Sequence, residues 1–204
     1  MDSGLKREIE EKVLSGSRLS FDDGMALYGT DEVAWLGELA HEVRTRRFSD
    51  KATFAVTDGG PQVAEIPGEE PRHWVEHLLR LREQQDETGD LQVFVPGRHQ
   101  QDSGRSAPTG VEALKMFAVS RLLLDNVDHV TCSLAAHGVA TSQLALHYGA
   151  DDLEASAETT RDDLVDLIRD SGFTPVERDG RYEVVAEYEG PDPMLREEPQ
   201  LMTF

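Results

Sequence analysis

Between residues 52 and 148 short β-branched or aromatic runs alternate with long amphipathic stretches. That alternation restricts the chain to an α/β arrangement built from right-handed βαβ units. ATFAV (52–56) reads as a buried strand stopped by DGGP. Pro71 suits a first helical turn, after which Trp74, Val75, Leu78, Leu81 and Arg82 share one face as far as residue 88. LQVFVP (91–96) is the next strand. Gly97 to Pro108 is polar and broken, as an exposed loop is. Thr109 and Glu112 form a capping box for the apolar-striped GVEALKMFAVSRLLLDNV, HVTCSL follows as a third strand, and a helix spans Thr141 to Tyr148 with Gly149 as its stop.

The flanks are simpler. Ser20 and Asp23 cap a short helix ended by Gly29, and Thr30 caps another carrying Val33, Leu36, Leu39, Ala40 and Val43. Arg44, Arg46 and Arg47 then sit at the helix end that favours cations. Thr160 and Asp163 cap a last helix, closed by Gly172. TPVERDGRYEVVAEY (174–188) alternates around Asp179-Gly180, a two-residue hairpin signal that predicts an antiparallel flap or sheet edge. Residues 1–189 are expected to form one domain and 190–204 an irregular tail. Neither repeats nor heptads emerge.

Forty acidic residues against 20 basic ones give a net charge of −20, which argues against nucleic acid or a membrane surface as partner, since both are polyanionic. Sixteen of the basic residues are Arg and four are Lys. A host with high internal salt would screen the self-repulsion. The first residues, MDSGLKREIEEKVLSG, contain no apolar run, so no signal peptide or membrane span is expected and the cytoplasm is the default location. Cys132 is the one cysteine, which excludes an internal disulfide or a site of several thiolates within one chain.

Few residues make a claim to chemistry. His73, Glu76 and His77 fit the H-x-x-E-H pattern, two imidazoles a helical turn apart for zinc with a carboxylate to activate water. The third ligand is not identifiable, and a solvated helix face explains the same residues. His99 follows the strand LQVFVP, at the end of a parallel strand where ligands bind. Asp151 and Asp152 follow a helix; a helix stop and turn accounts for them, with a ligand contact as the alternative. Cys132 reads as a small buried filler. Phosphate-binding glycine fingerprints are absent.

Taken in order, LSFDDGMALYGTDEVAWLGELAHEVRTRRFSDKATFAV (19–56), HWVEHLLRLREQQDETGDLQVFVP (73–96), GVEALKMFAVSRLLLDNVDHV (110–130), TSQLALHYGADDLEAS (141–156) and TRDDLVDLIRDSGFTPVERD (160–179) resemble the radical SAM enzymes of menaquinone biosynthesis, the aminofutalosine synthase group. They are also similar to the FO synthase subunits. The resemblance implies an α/β barrel holding a [4Fe-4S] cluster through C-x3-C-x2-C after the first barrel strand. Here that strand is ATFAV, and TDGGPQVAEIPGEE follows without a cysteine. The chain then passes almost directly to the helix before the family's sixth strand, so residues 57–70 mark a deletion seam and about half a barrel is expected to remain. GRHQ stands where the family has a P-L-x-F-H pattern, leaving His99 as a displaced remnant. Cys132-Ser133-Leu134 replaces a Trp-bearing strand end, and Ala155-Ser156 replaces Gly-Thr.

No cofactor is therefore expected: the cluster and S-adenosylmethionine belong to the family, but the ligands that would hold the cluster are missing. A half TIM-type barrel exposes strand edges, which a homodimer or a partner protein would cover. The leading expectation is a non-catalytic or diverged paralogue binding a partner protein or small metabolite near menaquinone biosynthesis. The alternatives are a metal-assisted enzyme using His73 and His77, and a decayed gene product without selected activity.

Overall fold

The computed structural model describes residues 1–56, 70–97, 109–156 and 158–192. Three helices open the chain: α1 (Ser3–Ser15), α2 (Phe21–Gly29) and α3 (Val33–Phe48). Strands and helices then alternate through β1 (Lys51–Ala55), α4 (Pro71–Thr88), β2 (Val93–Phe94), α5 (Gly110–Leu123), β3 (His129–Ser133), α6 (Leu134–Ala145), β4 (Asp152–Glu154), α7 (Arg161–Asp170), β5 (Thr174–Arg178) and β6 (Val184–Glu187). The strands form one six-stranded sheet in the order β2-β3-β4-β1-β5-β6, and every pairing is parallel except that of β5 with β6. This is the mixed α/β arrangement that the alternation predicts.

Strand periodicity sorts the sheet into two unlike faces. Ala52 and Phe54 of β1, Val130 and Cys132 of β3, and Leu153 of β4 point into one apolar cluster. There they meet Phe117 of α5, Leu134 and Ala145 of α6, and Leu164, Val165, Leu167 and Ile168 of α7. A second cluster joins α1 through α5, with Leu27, Leu36, Trp74, Leu78, Met116 and Leu123 at its centre and Phe94 of β2 at its rim. The alternate residues, Thr53, Thr131, Asp152 and Arg178, belong to neither cluster and line the face turned away from α5, α6 and α7.

Several local expectations hold. The capping boxes Ser20/Asp23, Thr109/Glu112 and Thr160/Asp163 are all formed, and Pro71 opens α4. Others are corrected. The charged start of the chain is helix α1, capped by the Asp2 side chain and closed by left-handed Gly16, with Ile9 and Val13 buried. Thr30 ends α2 rather than capping α3; its hydroxyl accepts from the Glu32 amide. The helix expected over 141–148 begins at Leu134 and kinks at Gly138 (φ 74°, ψ 165°), ending at Ala145. Arg44 is not a solvated charge at a helix end. It is fully buried, donates to the carbonyls of Ser49, Lys51 and Ala150, and lies over the Phe173 ring, tying α3 to the starts of β1 and β4.

Two corrections bear on function. Residues 152–154 form a strand, β4, rather than a turn, flanked on both sides by β1 and β3. Of the flap or edge expected for the hairpin, the edge is what forms: β5 pairs in parallel with β1, and β6 runs antiparallel to β5 at one edge of the sheet. The hairpin loop is longer than two residues. The Asp179 side chain accepts from the amides of Arg181 and Glu183, and Tyr182, not Gly180, takes the left-handed conformation (φ 62°). A glycine is the usual occupant of such a position. The compensation comes from what the Tyr182 side chain touches.

Candidate ligand-binding face

Thr53, Asp152 and Thr131 stand side by side on β1, β4 and β3 at the same level of the sheet. Asp152 is completely buried, and an isolated carboxylate there would be costly. It is held instead by Thr53 Oγ1 at 2.7 Å, Thr131 Oγ1 at 2.7 Å, and a two-pronged contact with Arg178, Nε at 2.7 Å and Nη2 at 2.6 Å. Burial alone would lower the Arg178 pKa, but the bonds and charge of Asp152 outweigh it and raise the value. Arg178 in turn lies over the Tyr182 ring, 3.8 Å from its centroid. The phenol oxygen of Tyr182 is 2.9 Å from Thr131 Oγ1 and 3.4 Å from Asp152 Oδ2. Burial first, and the Asp152 charge second, push the phenol well above its ordinary pKa, so it stays protonated.

Asp151, immediately before β4, holds a separate set of partners. It takes Arg121 of α5, which is itself fully buried, together with the Val130 amide at 2.9 Å and His129 Nδ1 at 2.6 Å. His129 then stacks on Tyr182, ring centroids 4.1 Å apart and planes 17° from parallel. The two aspartates therefore share a labour: Asp151 orients His129 and Asp152 orients Arg178, and those two groups hold Tyr182. Between them they form a continuous polar layer across β1, β3, β4 and β5.

The other candidates lie apart from this layer. His73 is exposed on α4, Glu76 is ion-paired with Arg72 at 2.8 Å, and His77 is half-buried, with its Nε2 buried and without a hydrogen bond. Burial, and then Arg80, lower the His77 pKa. Among the described residues no three His, Cys, Asp or Glu side chains are grouped to hold a metal ion. His99 lies outside the described residues. Cys132 is on the helix side of β3, fully buried and 3.4 Å from Ser142 Oγ, and burial pushes its thiol up to about 12. A thiol so placed is neither a ready ligand nor a nucleophile. No described helix is long and apolar enough to cross a membrane.

A known protein aligns with this chain over nearly its whole length. The chain's sequence is 32% identical to aminodeoxyfutalosine synthase of Streptomyces coelicolor over 385 aligned positions, covering 99% of the chain and 100% of that protein. The chain belongs to the aminodeoxyfutalosine synthase family. Since it has 204 residues, a large part of that relative has no counterpart in it. Residues 99–190 match the family model for the CofH/MqnC C-terminal region. A second relative, cyclic dehypoxanthine futalosine synthase of the same organism, is 36% identical over 61% of the chain, a match that spans about a third of that protein (35%). The crystal structure of HydG, a maturase of the [FeFe]-hydrogenase, superposes with a TM-score of 0.69 over 89% of this chain and 77% of that one, at 7% identity. At that identity the likeness is one of fold alone.

Sequence reasoning singled out Asp151 and Asp152 but missed Thr53, Thr131, His129, Arg178 and Tyr182. Thr53 and Thr131 carry a faint signal, since each is the polar member of an otherwise apolar strand. Tyr182 has none, because its place over the sheet depends on the loop conformation after β5.

Proposed function

We propose that this member of the family does not run radical chemistry and acts instead by binding, taking a small metabolite or a partner protein near menaquinone biosynthesis. The observation that carries the reading is the chain's single cysteine. The family's [4Fe-4S] cluster takes three thiolates after the first strand; here that segment contains none, and Cys132 is sealed beneath the sheet on its apolar side. The residues present do not fit the cluster.

The strand order supports reading the sheet as half of a TIM-type barrel. In a closed barrel the last strand pairs with the first. β4 pairs with β1 although almost a hundred residues separate them, and β2, β3 and β4 then stand as the sixth, seventh and eighth strands of the family barrel. On the other side of β1, where the next barrel strand would lie, β5 is inserted. The polar face is then what remains of a barrel interior, the surface on which a ligand would settle. β2 and β6 are left as the edges that a second copy or a partner would cover.

The test is reductive cleavage of S-adenosylmethionine by the purified chain under anaerobic conditions with a strong reductant. The reading expects no cleavage above the protein-free control. Catalytic turnover would overturn it.

A further inference from the structure

A cleft of about 530 Å³ opens where β1 and β5 begin, lined among others by His41, Asp50, His147, Asp170, Ser171 and Phe173. Three helices finish beside it: α3 is closed by Ser49, α6 by Leu146 and α7 by Ser171. Helix carbonyl ends carry partial negative charge, and the two carboxylates add to it, so the cleft favours a cation. Arg44 is committed to the carbonyls of Ser49, Lys51 and Ala150 and to the Phe173 ring. Its charge opposes a second cation. Burial, and that same charge, also hold His41 and His147 neutral, the form in which a ring nitrogen offers a lone pair to a metal.

The two imidazoles are spaced for one ion. Their ring centroids are 5.6 Å apart. An ion about 2.0–2.1 Å from one nitrogen of each ring, at a near-tetrahedral angle, sets the ring centres roughly 5 Å apart. His147 Nε2 donates to the Ser171 carbonyl at 2.9 Å, which leaves Nδ1 with the lone pair. Metal-ligating histidines are oriented in this way, by a carbonyl on the far nitrogen. His41 Nε2 is 3.4 Å from Thr45 Oγ1. Its Nδ1 is buried without a hydrogen bond, although the Leu146 carbonyl acts on the ring. A bound ion would give this pair the partner it lacks. We propose that His41 and His147 form a two-imidazole site for a divalent transition ion of zinc's class, which staples α3 to the end of α6. Imidazole selects zinc, copper or nickel over magnesium and calcium. Among the described residues no third His, Cys, Asp or Glu completes the group, so water fills the remaining positions. The site is separate from the polar face and from the H-x-x-E-H residues of α4.

Zinc chloride is the probe, titrated calorimetrically into the whole chain with excess magnesium to occupy surface carboxylates. One equivalent is expected to bind and to raise the Tm. His41→Gln and His147→Gln are each expected to weaken binding more than about tenfold, the least that losing even an orienting neighbour of a ligand costs, and to abolish the rise in Tm. His73→Ala with His77→Ala is expected to change neither. If a cleft variant is unfolded, substoichiometric copper(II) is added to the wild-type chain and followed by NMR. The ring protons of His41 and His147 are then expected to broaden before those of His73 and His77. The proposal is overturned by the absence of saturable zinc binding, by binding that survives loss of either cleft histidine or disappears with His73 and His77, or by broadening that begins elsewhere. None of these readouts involves iron or S-adenosylmethionine, so they are independent of the claim about radical chemistry.

Discussion

Asp152 and Arg178 are the pair on which the polar face depends. With its carboxylate partner gone, Arg178 would be left as a charge with 5% of its side chain exposed. Breaking a buried pair from one side costs about 3–5 kcal/mol. Asp152→Ala is thus expected to lower the urea midpoint by that equivalent, whereas Asp152→Leu with Arg178→Met is expected to cost much less. Equal losses would mean that the pair contributes packing rather than charge compensation. The aspartates were visible in the sequence as chemistry-bearing residues, but their partners were not. Arg178 is 26 residues away and Arg121 is 30, and only the sheet brings them together. The same limit applied to Arg44, which looked like a favourable charge at a helix end and is in fact a buried clamp between elements.

Local chemistry specified the elements better than it specified their contacts. Each capping box was legible because its two residues lie three apart and need no tertiary information. Thr160→Ala removes the bond that Thr160 Oγ1 accepts from the Asp163 amide, and is expected to destabilise α7 by about 1 kcal/mol, measured by thermal unfolding. β4 was illegible for the opposite reason. Three residues, two of them acidic, have no strand pattern of their own, and the segment becomes a strand only because β1 and β3 pair with it from both sides. Helix α1 was missed because its charged residues masked the spacing of Leu5, Ile9 and Val13.

Where α3, α6 and the α7–β5 turn meet, His41 and His147 face one another with ring centroids 5.6 Å apart and Phe173 against both. Burial lowers both pKa values, and the positive charge of Arg44 adds to the effect. Both are therefore neutral in the fold, and unfolding frees them to take up protons. Their contribution is fully present above the ordinary value of 6.5 and is lost as pH falls through the depressed folded values. Stability is expected to fall below pH 6.5, with a shallower slope in His147→Gln; an unchanged slope would remove these histidines from the account.

In the whole molecule, β5 lies beside β1 on the side away from β4, and β6 completes that end of the sheet. On the proposed reading of a shortened barrel, the resemblance makes the missing middle legible, since the family segments run on either side of residues 57–70. It did not show that β5 would take the open side of β1, because a parallel pairing between residues 51–54 and 174–177 leaves no trace in either segment. A net charge of −20 opposes compaction, so added salt is expected to raise the Tm. The same salt series, followed by native mass, tests the proposed dimer: screening is expected to favour the doubled mass, and a monomer throughout would leave β2 and β6 uncovered.

The proposed inability of this polypeptide to assemble a four-iron centre is checked by its iron content after anaerobic reconstitution with iron and sulfide. No stoichiometric iron and none of the absorption of a four-iron cluster are expected. About four irons per chain, with S-adenosylmethionine bound to them, would contradict it.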